Sequence, residues 1–331
     1  MRLGILAGAG GDWKDSLEKV RIAEDLGYEM VASGEAWGPS VLPWLAAVAL
    51  NTSHIEIGTS IINTYSRTPG AMAQEYATLE QLSGGRMVLG LGSSGAFVVE
   101  HFHGILFERP IQRIREYVEI FDVLIDGAPL NYDGEIFQMS RGFRLDYDRP
   151  RNKVPVYIAA ITPRSIYQTG EIADGIFPIH WPMELFGSLE RDLAAGAEAG
   201  GNPDKKVTIA PFTRVTILDG SQEDERRWFE ARSAIHHYVN RMGVFYWQML
   251  ARNGFESEVE QSRSAWAERE REKSVDAISD EMVRSCQVIG SPGEVRERLK
   301  ERSALGAELQ MVHMPTGTVT DVGKELESYL S

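Results

Sequence analysis

A chain of 331 residues with 43% hydrophobic and 25% charged residues has ample material for a large core, and lies far from disordered or fibrous compositions. Its formal net charge of −14 excludes a broad basic face for nucleic acid or anionic lipid, so a small anionic ligand must be held by local N–H groups and a few cations. The lone cysteine, Cys286, excludes an internal disulfide and a cysteine-built metal cluster; apolar stretches such as Val41–Leu50 are too short to span a bilayer, and no signal-peptide pattern precedes the first strand, so a cytoplasmic protein is expected.

Short β-like runs alternate with helical segments along the chain. Leu3–Ala7 reads as strand one, and Trp13, Leu17, Val20, Ala23 and Gly27 follow at helical spacing. Met30–Ser33 is strand two, leading through Gly34-Glu35-Ala36-Trp37-Gly38 into the apolar segment Val41–Leu50. Ile55–Ile62 is strand three; its helix carries Met72, Tyr76, Leu79 and Leu82 and stops at Gly84-Gly85, suited to a left-handed helix end. Arg86–Gly92 is strand four, followed by a helix with Ile111, Ile114, Val118, Phe121 and Ile125 in register.

Residues 129–147 interrupt the rhythm with Asn131-Tyr132-Asp133-Gly134 and alternating apolar positions, which predicts a hairpin insertion. Val154–Ala160 is strand five, with a helix opening after Thr162-Pro163, and Gly175–Ile179 is strand six. Val207–Leu218 is strand seven, and residues 221–286 form a long helical insertion carrying Trp228, Tyr238, Tyr246, Trp247 and Trp266. Ser291, Pro292 and Glu294 give the last predicted helix a capping-box start, and Leu309–Met314 is strand eight. Eight strands separated by helices imply parallel pairing with right-handed crossovers. A single α/β domain over residues 1–331 is therefore expected, a (β/α)8 TIM barrel with the two insertions, its chemistry at the loops after the strand C-termini.

Those loops hold the candidate residues. Glu35, after strand two, is a candidate for proton transfer; the alternative is a rim carboxylate that pairs with an arginine or caps the next helix. Gly90-Leu91-Gly92-Ser93-Ser94-Gly95 matches G-x-G-x-x-G, but in the fourth unit and without an obvious phosphate-binding helix, so it reads as a tight loop beside a planar ligand or as a crowded barrel corner. Ala159-Ala160-Ile161-Thr162-Pro163 opens a helix whose N–H groups, with the Thr162 hydroxyl and Arg164, suit a phosphate; Thr162 equally suits a plain N-cap. The seven histidines show no metal-ligand spacing, and no metal is expected, though His103 falls in the strand-four loop.

Taken in order, Ala23-Glu24-Asp25-Leu26-Gly27-Tyr28, Ser33-Gly34-Glu35-Ala36-Trp37-Gly38, Ile57-Gly58-Thr59-Ser60, Ser83-Gly84-Gly85-Arg86-Met87-Val88-Leu89-Gly90-Leu91-Gly92, Val98-Val99-Glu100 and Gly170-Glu171-Ile172-Ala173-Asp174-Gly175 resemble the luciferase-like monooxygenase superfamily, and within it the F420-dependent oxidoreductase branch. The resemblance implies hydride transfer between deazaflavin coenzyme F420 and a small organic substrate in a homodimeric enzyme. It implies a non-proline cis peptide at Ser60-Ile61 backing the ring, with Asn63 close by, Gly34 and Glu35 at the ring, Ser93, Ser94, Gly95 and Val98 bordering the coenzyme, and Ala160, Ile161 and Thr162 at its phosphate. This chain has Glu35 where the branch's sugar-phosphate dehydrogenases have His and Gly95 where they have Glu, so a different substrate is expected; Ile161-Thr162 stands where some relatives have two glycines, so the phosphate contact is expected to differ in detail. Two other readings on the same barrel are an FMN-dependent monooxygenase and an F420- or flavin-binding protein without turnover.

Overall fold

The computed structural model describes residues 1–330. Eight strand positions run in parallel around a closed ring: strand one (Arg2–Leu6), two (Met30–Ser33), three (Glu56–Thr59), four (Met87–Gly92), five (Val156–Ile158), six (Gly175–Ile176), seven (Thr208–Ile209 with Phe212–Thr213) and eight (Leu309–His313). Strand seven closes the ring by pairing at one end with strand six (Thr208↔Gly175) and at the other with strand eight (Thr213↔Val312). It is shorter than the predicted Val207–Leu218. Pro211 lacks an N–H and divides the run, and Val215–Ile217 leaves the ring to pair with Val288–Gly290.

The strands are buried on both faces, as a barrel inside a shell of helices requires. Met30, Ala32, Val88, Tyr157, Phe177, Ala210, Leu309 and Met311 fill the barrel interior as one cluster. The outer helices are α1 (Trp13–Asp25), α2 (Val41–Asn51), α3 (Pro69–Ser83), the short α4 (Ala96–His101), α5 (Pro110–Asp126), α6 (Pro163–Ile172) and α7 (Phe186–Ala199). As predicted, α3 ends at Gly84 in the left-handed region (φ 67°).

Both insertions form where expected. Leu130–Asp133 and Gln138–Phe143 pair antiparallel as a hairpin, held by the fully buried Glu116 carboxylate, which accepts the N–H groups of Glu135, Ile136 and Phe137. Residues 223–286 supply α8 (Glu223–Arg241), α9 (Val244–Leu250), α10 (Glu256–Ala267), α11 (Arg271–Asp276) and α12 (Asp280–Cys286), with a π-turn at Ala251–Phe255 between α9 and α10. In α13 (Pro292–Ala304) the Glu294 carboxylate accepts the Ser291 N–H at 2.8 Å. It is not the last helix: α14 (Val319–Leu330) follows strand eight and packs against α1. No helix among the described residues is long and apolar enough to cross a membrane.

Candidate active site

The C-terminal mouth of the barrel brings the loops after strands two, three and four together. The Ser60 N–H donates to the Ser33 carbonyl at 2.7 Å, and the Glu35 N–H donates to the Ile61 carbonyl at 3.0 Å. Between these bonds the Ser60-Ile61 peptide is cis, as the resemblance implied. The chain then resumes pairing, with Ile62 opposite Leu91 and Asn63 opposite Gly92. Gly34 approaches so closely that an added Cβ would lie 3.0 Å from the Ser60 carbonyl oxygen.

The glycines of the strand-four motif divide by role. A Cβ at Gly90 would fall 1.8 Å from the Thr59 carbonyl oxygen, and one at Gly92 would fall 2.8 Å from Ile61 Cδ1. These two are required by the barrel corner. Gly95 has nothing within 4 Å of its missing Cβ, next to Ser94 in the left-handed region at φ 58°, so this end of the loop borders open space. Below the corner, the Thr59 hydroxyl donates to the Gly90 carbonyl at 2.7 Å, accepts the Gly90 N–H at 2.9 Å and meets the Tyr76 hydroxyl at 2.8 Å.

Glu35 takes the pairing-and-capping geometry. Arg67 donates to both its oxygens, at 2.5 and 3.1 Å, and the first N–H of α2, from Val41, reaches it at 2.9 Å. The side chains of Glu35 and Arg67 are only 10% and 14% exposed. Burial alone would raise the Glu35 carboxyl, but the Arg67 and Val41 bonds outweigh it and hold the group below the usual carboxylate range. In this geometry Glu35 has both oxygens engaged, by Arg67 and by the Val41 N–H, which is the pairing-and-capping alternative to a proton donor. Arg67 also lies 2.9 Å from Glu75, off the hydrogen-bond axis. Sequence reasoning passed over Arg67, and its signal was indirect: a carboxylate kept at a half-buried strand end needs a cation.

Asn63 is buried and shapes the loop after strand three. Its Oδ1 accepts the N–H groups of Tyr65 and Ser66 at 2.9 and 2.8 Å, and its Nδ2 lies 3.4 Å from His103 Nε2. Ser93 and Val98 are half-buried beside the exposed Ser94 and Gly95. Large apolar side chains flank this open sector: Trp37 is 61% exposed, Phe97 77% and Phe102 59%.

At the end of strand five, Ala160 is buried, and Ile161 and Thr162 are half-buried. Thr162 and Ser165 form a capping box: Thr162 Oγ1 accepts the Ser165 N–H at 3.2 Å, and Ser165 Oγ accepts the Thr162 N–H at 3.1 Å. With Pro163 lacking a donor, the expected fan of free N–H groups narrows to that of Arg164. A cation missed in the sequence compensates: Arg252, in the π-turn of the helical insertion, donates to the Ile161 carbonyl. No local pattern links residues 91 positions apart. A shallow hollow lined by Arg2, Tyr28, Glu29, His54 and Glu56 opens at the opposite end of the barrel, away from all of these groups.

A closed parallel barrel whose strand-three end is braced by the loop after strand two defines a class of (β/α)8 enzyme scaffold, and a comparison with known families specifies it. The chain belongs to the luciferase-like monooxygenase family, whose sequence profile matches residues 1–309. It is 28% identical over 332 residues, 94% of each chain, to a Mycobacterium tuberculosis protein provisionally named a coenzyme F420-dependent oxidoreductase. It is also 28% identical over 319 residues, 93% of each chain, to the 5,10-methylenetetrahydromethanopterin reductase of Archaeoglobus fulgidus. Among solved structures, the coenzyme F420-dependent tetrahydromethanopterin reductase of Methanopyrus kandleri superposes with a TM-score of 0.81 at 22% identity, over 99% of this chain and 96% of that one.

Proposed function

We propose that this protein is an F420-dependent oxidoreductase that moves a hydride between the deazaflavin coenzyme and a small organic substrate. The observation that carries the reading is the strand-three end, where Gly34, Glu35, Ser60, Ile61 and Gly92 converge under an open mouth, in a chain whose full-length relatives are named for F420-dependent chemistry. The residues present fit such a group. The 60–61 backbone offers a flat backing, Gly95 leaves space beside it, Trp37, Phe97 and Phe102 offer apolar edges, and Arg252 with Arg164 offers positive charge at the strand-five end. When bound, a deazaflavin supplies or accepts the hydride.

In this reading the protein contributes position and dryness. Gly34, Ser60, Ile61 and Asn63 set the height of the ring. Ser93, Ser94, Gly95 and Val98 border its edge, and Ala160, Ile161 and Thr162, with Arg252, receive its phosphate. The aromatic side chains at the rim keep water from the reacting face. Glu35 acts as a positioning residue, tying Arg67 and the start of α2 beneath the ring. We take the working form to be a cytoplasmic homodimer without nucleic-acid or membrane partners; the net charge of −14 supports the absence of a nucleic-acid or anionic-membrane partner.

Titrating the purified protein with F420 and with FMN, followed by oxidation of reduced F420 against candidate acceptors, tests the proposal. Tight F420 binding with turnover is expected. Binding of FMN alone overturns it in favour of a flavin monooxygenase, and F420 binding without turnover against any acceptor overturns it in favour of a carrier.

A further inference from the structure

Across the mouth from Glu35, the ends of strands six, seven and eight each present a basic side chain. His180 follows Ile179, which bridges to Phe212; Arg214 follows Thr213; His313 is the last residue of strand eight. Because Thr213 stands opposite Val312, the next step in register sets Arg214 opposite His313, and His313 Nδ1 lies 3.5 Å from the Thr213 carbonyl. We propose that His180, Arg214 and His313 form a subsite for the anionic head group, a carboxylate or phosphate ester, of the substrate. Calling the ligand a substrate rests on the function proposed above; the anion site itself does not.

Three independent observations support the assignment. First, His180 is 7% exposed, yet its Nε2 has no hydrogen-bond partner, and Arg214 Nε has none either. A buried polar atom left without a partner has given up its water hydrogen bonds uncompensated, so the two groups together point to a site that takes a ligand. Second, His180 adopts a left-handed backbone at φ 50°, an uncommon conformation for a residue other than glycine and one that clusters at ligand sites. Third, the helical insertion walls the site aromatically: the His180 ring stands edge-on to Tyr238 at 4.7 Å, and Tyr238 stands edge-on to Tyr246 at 4.9 Å.

The charge pattern selects the ligand. The ionisable groups that His180 feels are His313, Arg214 and His237, with no carboxylate among them, in a chain with 48 acidic and 34 basic residues. Burial, first, and then these neighbours push His180 down to about 3, so at neutral pH it is an uncharged imidazole. His313 is open to solvent, yet desolvation also lowers it, as expected of a side chain lining a concave wall. Arg214 is therefore the fixed positive charge, and the imidazoles add directional hydrogen bonds. That combination suits one compact oxyanion and gives a cation no counter-charge.

The test uses the full chain without coenzyme and two probes, inorganic phosphate and acetate, with the His180 ring signal followed by NMR and assigned by its loss in His180→Phe. Saturable movement of that signal by either probe is expected, with the affinity weakened roughly tenfold or more in Arg214→Met. Response to phosphate alone assigns a phosphate ester, and response to acetate alone a carboxylate. His313→Gln gives a second reading should Arg214→Met fold poorly. A His180 signal that neither probe moves overturns the proposal. So does a response that survives Arg214→Met and His313→Gln but disappears in Arg252→Met, because the anion then sits at the strand-five end. F420 affinity, measured separately on the same samples, reports on the coenzyme reading: its failure leaves the anion result standing.

Discussion

Replacing Glu35 by Gln separates a proton donor from a structural anion. The substitution keeps an oxygen for the Val41 N–H but removes the charge that Arg67 contacts through two bonds. With both partners nearly out of water, the loss lies above the 0–1 kcal/mol of surface pairs and below the 3–5 kcal/mol of fully buried ones, at about 1–3 kcal/mol. A chain of this length unfolds with an entropy near 0.7 kcal/mol/K, so the melting temperature should fall by roughly 1–4 °C. Glu35 ionises more readily when folded than unfolded, so its contribution is complete above the ordinary carboxylate value, about 4.3, and is lost as pH falls through the lower folded value. The gap between wild type and Glu35→Gln, followed by calorimetry, should therefore close below about pH 4. Arg67→Met and the double variant should show coupling of about 1–2 kcal/mol. A Glu35→Gln enzyme with unchanged melting and a turnover loss of about 10²–10⁴-fold would refute this reasoning and restore general-acid catalysis.

Gly90→Ala drives a Cβ into the Thr59 carbonyl and should cost about 3 kcal/mol or abolish soluble expression, whereas Gly95→Ala should melt within about 0.5 kcal/mol of wild type. Glu116→Ala strips the hairpin turn of its acceptor, and amide exchange should rise across residues 130–143 while the barrel strands stay protected. His180 binds its proton less readily folded than unfolded, so its share of stability falls as pH drops from about 6.5 toward 3; in His180→Phe the dependence of melting on pH should be flatter over that range, with His236, His237 and His313 carrying the remainder.

The barrel was legible because its strands are short apolar runs separated by periodic helices, a signal local to each unit. Besides the short α4 in the strand-four loop, two longer helices escaped it. In α7, Phe186, Leu189, Leu193 and Ala197 have helical spacing, but Gly187 and Gly196 read as breakers; Gly196 instead allows a close crossing, since its Cβ would fall 2.0 Å from the Tyr167 carbonyl oxygen on α6. Helix α14 follows strand eight directly, where the alternation of earlier units gives no further strand to frame it. At the site, each loop could be located from the end of its strand, and the Ser60-Ile61 run from a resemblance. The pairings could not: Glu35 with Arg67 spans 32 positions and Arg252 with Ile161 spans 91, and the basic triplet at residues 180, 214 and 313 exists only once the ring is closed. Closure is a property of register, and register is written in no single segment.

The capping box at Thr162 sharpens the question of where an anionic coenzyme would be held. The global field of a −14 chain repels such a ligand, so attraction must be short-ranged: the Arg164 N–H, the positive end of α6 and the Arg252 guanidinium. Asp is as good an N-cap as Thr, so Thr162→Asp should preserve the bond from the Ser165 N–H and leave the melting temperature unchanged. It places a negative charge within one turn of the expected phosphate, however, where repulsion in a partly desolvated site amounts to several kcal/mol. F420 affinity should then fall by at least about a hundredfold, while Thr162→Ser, which keeps both the cap and neutrality, should bind as wild type. Added salt should weaken wild-type binding little, because it screens the unfavourable long-range field as well as the favourable contacts. Fluorescence titrations of the three proteins at low and high salt measure all of this. Normal F420 affinity in a folded Thr162→Asp protein would show that the phosphate lies elsewhere, and would reverse the orientation of the coenzyme across the mouth.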